Sequence, residues 1–149
     1  MVATDDVLRE LHAVGAELGR PPEPVPEADP WEEPDPLDTE RSVNVVFPGP
    51  PDVRVRLHDD GIDAVQLDVY VTFDVRREHT VAVVRALLSR IGVSIKSPRG
   101  LFGAISRRLK LEFFEEIAVE VPGATYTQTV PWIPASPLHG WIAGLPRRP

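Results

Sequence analysis

Val65-Gln66-Leu67-Asp68-Val69-Tyr70-Val71-Thr72-Phe73-Asp74-Val75 carries an apolar side chain at every odd position. Gln66, Asp68, Tyr70, Thr72 and Asp74 stand between them. Successive side chains of a strand point to opposite faces, so this pattern predicts a strand with one face on a core and one in water. A half-solvated strand belongs to an antiparallel sheet, because parallel strands are covered on both faces.

The neighbouring segments continue the pattern. Val53, Val55 and Leu57 alternate with Arg54 and Arg56. Val43, Val45 and Phe47 precede them across the break Pro48-Gly49-Pro50-Pro51. His58-Asp59-Asp60-Gly61 reads as a turn, with short acids able to bond the local backbone and a permissive glycine. Downstream the period changes. Thr80 reads as an N-cap, and Val81, Val84, Leu87, Leu88 and Ile91 share one helical face that Gly92 closes. Val93 to Lys96 is a short extended piece. Ser97-Pro98 opens a second helix running to Arg108, with Leu101, Ile105 and Leu109 as its apolar side.

Leu109, Leu111, Phe113, Ile117, Val119 and Val121 then predict a strand, with Glu115 marking a bulge. Pro122-Gly123 turns the chain into the β-prone Thr125–Val130. The tail from Pro131 to Pro149 reads as irregular chain packed on the domain. The order β-β-β-α-β-α-β-β predicts a two-layer α+β domain: a mostly antiparallel sheet of about five to six strands, with two helices on one face.

Two segments come before it. Residues 1–20 predict an amphipathic helix with Thr4 as N-cap, Asp5 and Asp6 in the first turn, and Val7, Leu11, Val14 and Leu18 on one face. Gly15 weakens its middle, and Gly19 stops it. Residues 21–40 hold seven of the chain's 17 prolines, eight acids and no base. Such a composition cannot bury enough apolar area to offset the entropy of ordering, so it reads as a disordered acidic, proline-rich linker. Residues 41–149 form the single folded domain.

Composition excludes several function classes. The absence of cysteine rules out disulfides, thiolate zinc sites and a cysteine nucleophile. No signal-peptide pattern opens the chain and no apolar run spans a membrane, so a soluble cytoplasmic protein is expected. The net charge of −7 is unevenly spread. Residues 1–75 carry 18 acids and 5 bases, residues 76–111 carry 9 bases and 1 acid, and residues 112–149 carry 4 acids and 2 bases. That asymmetry points to complementary charged surfaces within the molecule or between partners.

Four groupings invite a chemical reading. His58-Asp59-Asp60 sets an imidazole beside two carboxylates, but the turn explains it without a metal. Glu78-His79 reads as a solvated helix start. Ser136 and His139 lack the sharp strand-to-helix elbow that frames a nucleophilic serine. Lys96, Arg99, Arg107, Arg108 and Lys110 surround Gly100-Leu101-Phe102-Gly103, which resembles the GxxG loop with which KH modules clamp a nucleic-acid backbone. In those modules the loop joins two helices directly, whereas here Gly92 to Arg99 intervenes, and the closing helix has no counterpart in the proline-rich tail.

Trp31, within Asp29-Pro30-Trp31-Glu32-Glu33-Pro34-Asp35, is an aromatic anchor among acids. It has the form of a short linear motif that orders on binding, with Trp31, Glu32, Glu33 and Asp35 as the contact residues. The expected function is therefore non-enzymatic binding of a basic protein partner through an acidic surface and this arm, as in inhibitor, immunity-type or accessory proteins. No cofactor, metal or membrane is expected, and exposed strand edges would permit a homodimer. The alternative is a nucleic-acid-binding module that uses Lys96, Arg99, Gly100, Gly103, Arg107, Arg108 and Lys110, with the acidic arm as its lid.

Overall fold

A computed structural model describes residues 2–24, 42–96, 115–130 and 137–148. Helix α1 spans Thr4–Glu17. Strands β1 (Ser42–Phe47), β2 (Val53–His58), β3 (Ile62–Leu67) and β4 (Val71–Arg76) follow, then helix α2 (Arg77–Ser89). Strands β5 (Val93–Lys96), β6 (Glu115–Val121) and β7 (Ala124–Val130) come next, and helix α3 (Pro137–Ala143) ends the series.

The result is an α+β two-layer domain with two antiparallel sheets, ordered β1-β2-β3-β4 and β5-β6-β7. The expectation of one sheet with five to six strands is thus replaced by four strands and three. The two sheets meet where β4 runs beside β7, and the Arg76 N–H donates to the Tyr126 hydroxyl across that seam at 3.2 Å. Among the described residues one apolar core serves both sheets and helices α1, α2 and α3.

The extra strand comes from the deciding stretch itself, which is a hairpin rather than one strand. Leu67 pairs with Val71, and Asp68, Val69 and Tyr70 make the turn. Residues 67 and 71 differ by an even number, so both keep their odd-position inward phase across the turn. Asp68 takes φ = 48°, its N–H donates to the Asp52 carbonyl, and its Oδ1 accepts from the Asp52 N–H. Aspartate tolerates this left-handed conformation better than a branched residue would. Val69 is left at the hairpin tip, 71% exposed.

Other expectations shift by a turn or less, each for a local reason. Ala3 is the N-cap of α1, and the Thr4 hydroxyl serves Arg77 instead. Helix α2 begins at Arg77, ahead of Thr80, whose hydroxyl is taken by Asp63. It ends at Arg90, which adopts the left-handed C-cap at φ = 66°, so Ile91 leaves the buried face and is 78% exposed. Glu115 makes no bulge, because β6 and β7 pair without interruption from Glu115↔Val130 to Val121↔Ala124.

The tail is more regular than expected. Leu138, Ile142 and Leu145 enter the core from α3 and the residues after it. Residues 146–148 then cover the β5 edge: Ile95 N–H donates to the Pro146 carbonyl and Arg148 N–H to the Ile95 carbonyl. The second helix expected over 98–108 lies outside the described residues, as does the acidic arm from residue 25 onward; at its start the Glu23 N–H donates to the Val46 carbonyl at 2.7 Å.

Helix α1 docks on the domain. Val7, Leu11 and Val14 are buried and the helix packs against α2. Gly15, which weakens an isolated helix, is there for room. A β-carbon on it would come within 2.7 Å of the Arg20 carbonyl oxygen and 3.0 Å of both the Phe47 ring and Pro22. Gly15→Ala is therefore expected to destabilise by up to about 2 kcal/mol, an overpacking cost of about 1–3 kcal/mol outweighing the ~1 kcal/mol gained in helix propensity. Urea denaturation would read it, and a stabilised variant would refute the close approach.

Candidate functional site

On the helical side an open groove lies between α1, α2 and the β6–β7 turn. Its volume is about 700 Å³. The floor is apolar, from Leu18, Val81, Ala82, Ala86, Val121 and Pro122. The rim is acidic: Glu10 and Glu17 from α1, Glu78 from α2 and Glu120 from β6 face a single base, Arg85.

Local sequence explains both features. Val81 and Ala82 lie on the flank of α2 whose opposite face, Val83, Val84 and Leu87, fills the core. The exposed Ile91 is left at one end of the groove by the early end of α2. Arg85 donates from Nη2 to Glu17 Oε2 at 2.9 Å, tying α2 to α1 across the groove. That hydrogen bond, and then the guanidinium charge, hold the Glu17 carboxyl below its ordinary 4.5; the same bond, and then the carboxylate charge, raise Arg85. Glu78 meets Arg76 at 3.2 Å. Glu10 and Glu120 form no ion pair among the described residues.

The position of α1, and so the groove wall, depends on a buried polar cluster. Asp63 and Thr80 are fully buried, and Arg77 is nearly so. Arg77 grips the Asp63 carboxylate with both arms of its fork, Nε to Oδ2 at 2.7 Å and Nη2 to Oδ1 at 2.9 Å. Thr80 Oγ1 donates to Oδ2 at 2.7 Å, and the His58 N–H donates to Oδ1 at 3.1 Å. Nη2 also donates to the His58 carbonyl. Nη1 reaches Thr4 Oγ1 at 3.1 Å and the Val2 carbonyl at 3.4 Å. A buried carboxylate and guanidinium persist only when paired and hydrogen-bonded, and here one fork joins the β2–β3 turn, the start of α2 and the start of α1.

Reading the motifs alone misses this cluster, although a signal for it exists. Carrying the odd, inward phase of β3 back from Val65 puts Asp63 on the core face, and carrying that of β4 forward from Val75 puts Arg77 there. Charged residues at inward positions need each other.

The groupings noted in the sequence fare differently. His58-Asp59-Asp60-Gly61 is a turn: Gly61 takes φ = 84°, and Asp60 Oδ1 accepts from the Ile62 N–H at 2.9 Å. Among the described residues no cluster of three or more metal-ligating side chains is present. The start of α2 is solvated at Glu78 but not at His79, which is half-buried. Its Nδ1 lies 2.7 Å from the Tyr126 hydroxyl, with the rings edge-to-face. His139 falls on α3, and Ser136 lies outside the described residues.

Of the basic stretch only Lys96 is described. It is exposed at the end of β5, opposite Glu116 in register. Arg99, Gly100, Gly103, Arg107, Arg108 and Lys110 lie outside the described residues, as do Trp31, Glu32, Glu33 and Asp35. No helix among the described residues is long and apolar enough to cross a membrane. No family model, curated protein or solved structure matches the chain.

Proposed function

We propose that this chain is a non-enzymatic protein-binding module whose partner presents a basic, amphipathic segment. The observation that carries the reading is the groove between α1 and α2, where an apolar floor is rimmed by four carboxylates and one arginine. An amphipathic helix lays its apolar face into such a groove, and its flanking lysines or arginines meet the rim. The apolar contact supplies affinity, and the rim selects the partner's charge and speeds encounter. The acidic arm, with Trp31 and the neighbouring Glu32, Glu33 and Asp35, adds a second contact of the same sign. Such a role is that of an inhibitor, immunity-type or accessory protein.

The test uses the full chain and a labelled, helix-forming peptide of leucine and lysine as the probe. Saturable binding is expected in fluorescence anisotropy. Ala82→Tyr fills the groove from a half-buried position and is expected to weaken binding by about tenfold or more, the cost of losing one well-packed anchor. Glu10→Lys with Glu120→Lys is expected to slow association and flatten its salt dependence. Trp31→Ala reads the share of the arm. Binding that survives Ala82→Tyr unchanged would remove the groove from the proposal.

A further inference from the structure

On the opposite side of the molecule, the outer face of the first sheet is neither flat nor acidic. It holds a cleft of about 460 Å³ over β1, β2, β3 and β4. The polar lining is Asn44, Arg54, Arg56, His58, Gln66 and Thr72. Parity brings these side chains together. They occupy even positions on four paired strands, and the pairs Asn44↔Arg56, Arg54↔Gln66 and Gln66↔Thr72 set them in adjacent rows. Ala64, the smallest residue on this face, lies opposite Arg56 and leaves the depression.

The charge of this lining runs against the chain. Residues 1–75 carry 18 acids against 5 bases, yet every charged or titratable side chain in the cleft is basic. Arg54 and Arg56 project from the same face of β2 two residues apart, so their like charges repel at about 6–7 Å. Among the described residues neither meets a carboxylate. Arg56 is nonetheless oriented, because its Nε donates to Asn44 Oδ1 at 3.2 Å. The nearest acid on the same face is Asp74, paired with Ala64 on the far side of β3 and not part of the lining. Two neighbouring guanidiniums, one of them oriented and neither paired with a carboxylate among the described residues, stand beside an imidazole, two amides and a hydroxyl and make a receptor for an oxyanion.

We infer that this cleft binds a compact organic anion bearing a carboxylate or phosphate group. Arg54 and Arg56 would hold the anionic end by forked hydrogen bonds, and Gln66 and Thr72 the uncharged polar part. Size supports a small molecule, since the volume lies in the range of ligand pockets. A nucleic-acid strand fits less well, because among the described residues no Phe, Tyr or Trp lines the cleft to stack a base. The inference is independent of the helical groove, which lies on the other face.

The experiment is an amide NMR titration of the full chain with inorganic phosphate and, separately, citrate, each at ionic strength fixed with sodium chloride. Saturable shifts on β2 and β3 are expected with at least one of the two. Arg54→Gln and Arg56→Gln, both at exposed positions, are each expected to weaken binding about tenfold or more, the loss of a charged hydrogen bond. Arg9→Gln, on α1, is expected to leave it unchanged. Preference for phosphate would assign a phosphate ester, and preference for citrate a polycarboxylate. Shifts that match sodium chloride alone, or that persist equally in Arg54→Gln and Arg56→Gln, would overturn the inference. So would a short single-stranded oligonucleotide that saturates the same amides more tightly and with a steep salt dependence.

Discussion

Asp63→Ala is expected to lower the free energy of unfolding by about 3–5 kcal/mol, a large part of what a domain of this size has to lose. The carboxylate accepts four hydrogen bonds: two from the Arg77 fork, one from the Thr80 hydroxyl and one from the His58 N–H. Its removal leaves a guanidinium that is 3% exposed without its counter-charge, and two further donors, the Thr80 hydroxyl and the His58 N–H, wholly or partly unpaired. The cost is that of an uncompensated buried charge, not the worth of one salt bridge. The double variant Asp63→Leu with Arg77→Met separates the two. It replaces both charges with apolar side chains and is expected to cost much less than Asp63→Ala alone. Urea denaturation of the single and double variants measures both. A single variant within about 1 kcal/mol of the parent would mean that the cluster does not hold the three segments together.

The cluster also shows how far sequence periodicity reaches. Alternation correctly identifies the inward residues Val53, Val55, Leu57, Val65, Leu67, Val71, Phe73 and Val75, all buried. It is blind to the turn at Asp68–Tyr70, because strand phase survives any turn that preserves parity. Helical periodicity likewise finds Val7, Leu11 and Val14 but puts Ile91 inside, since the left-handed Arg90 ends α2 before that residue.

The candidate sites were less legible, for a different reason. Arg54, Arg56 and His58 are visibly on one face of one strand, but the cleft exists only because Asn44, Gln66 and Thr72 arrive from three other strands in a particular register. The groove is made by the space between elements distant in sequence, so no local pattern announces it. The acidic character expected of a binding surface was legible. The placement of that acidity on Glu10, Glu17, Glu78 and Glu120 depends on how α1 docks.

That docking sets the second large expectation. Leu11→Ala should cost about 2–5 kcal/mol, because the side chain is fully buried and the cavity left behind sits between α1 and α2. The effect should be uneven. A helix of 14 residues is marginal on its own, and Gly15 lowers its propensity further. Without Leu11, α1 keeps Val7, Val14 and the bonds from Arg77 to Thr4 and Val2, while the rest of the core loses only its contacts with Leu11. Native-state hydrogen exchange is therefore expected to show α1 opening at lower free energy than β2, β3 and α2. Because Glu10, Glu17 and Leu18 leave the groove with α1, the leucine–lysine peptide should lose affinity in proportion to the open fraction. Binding of phosphate or citrate to the opposite face should persist. If α1 and the sheet instead exchanged together, the helix would be an integral part of one cooperative unit, and the groove wall would be as permanent as the core beneath it.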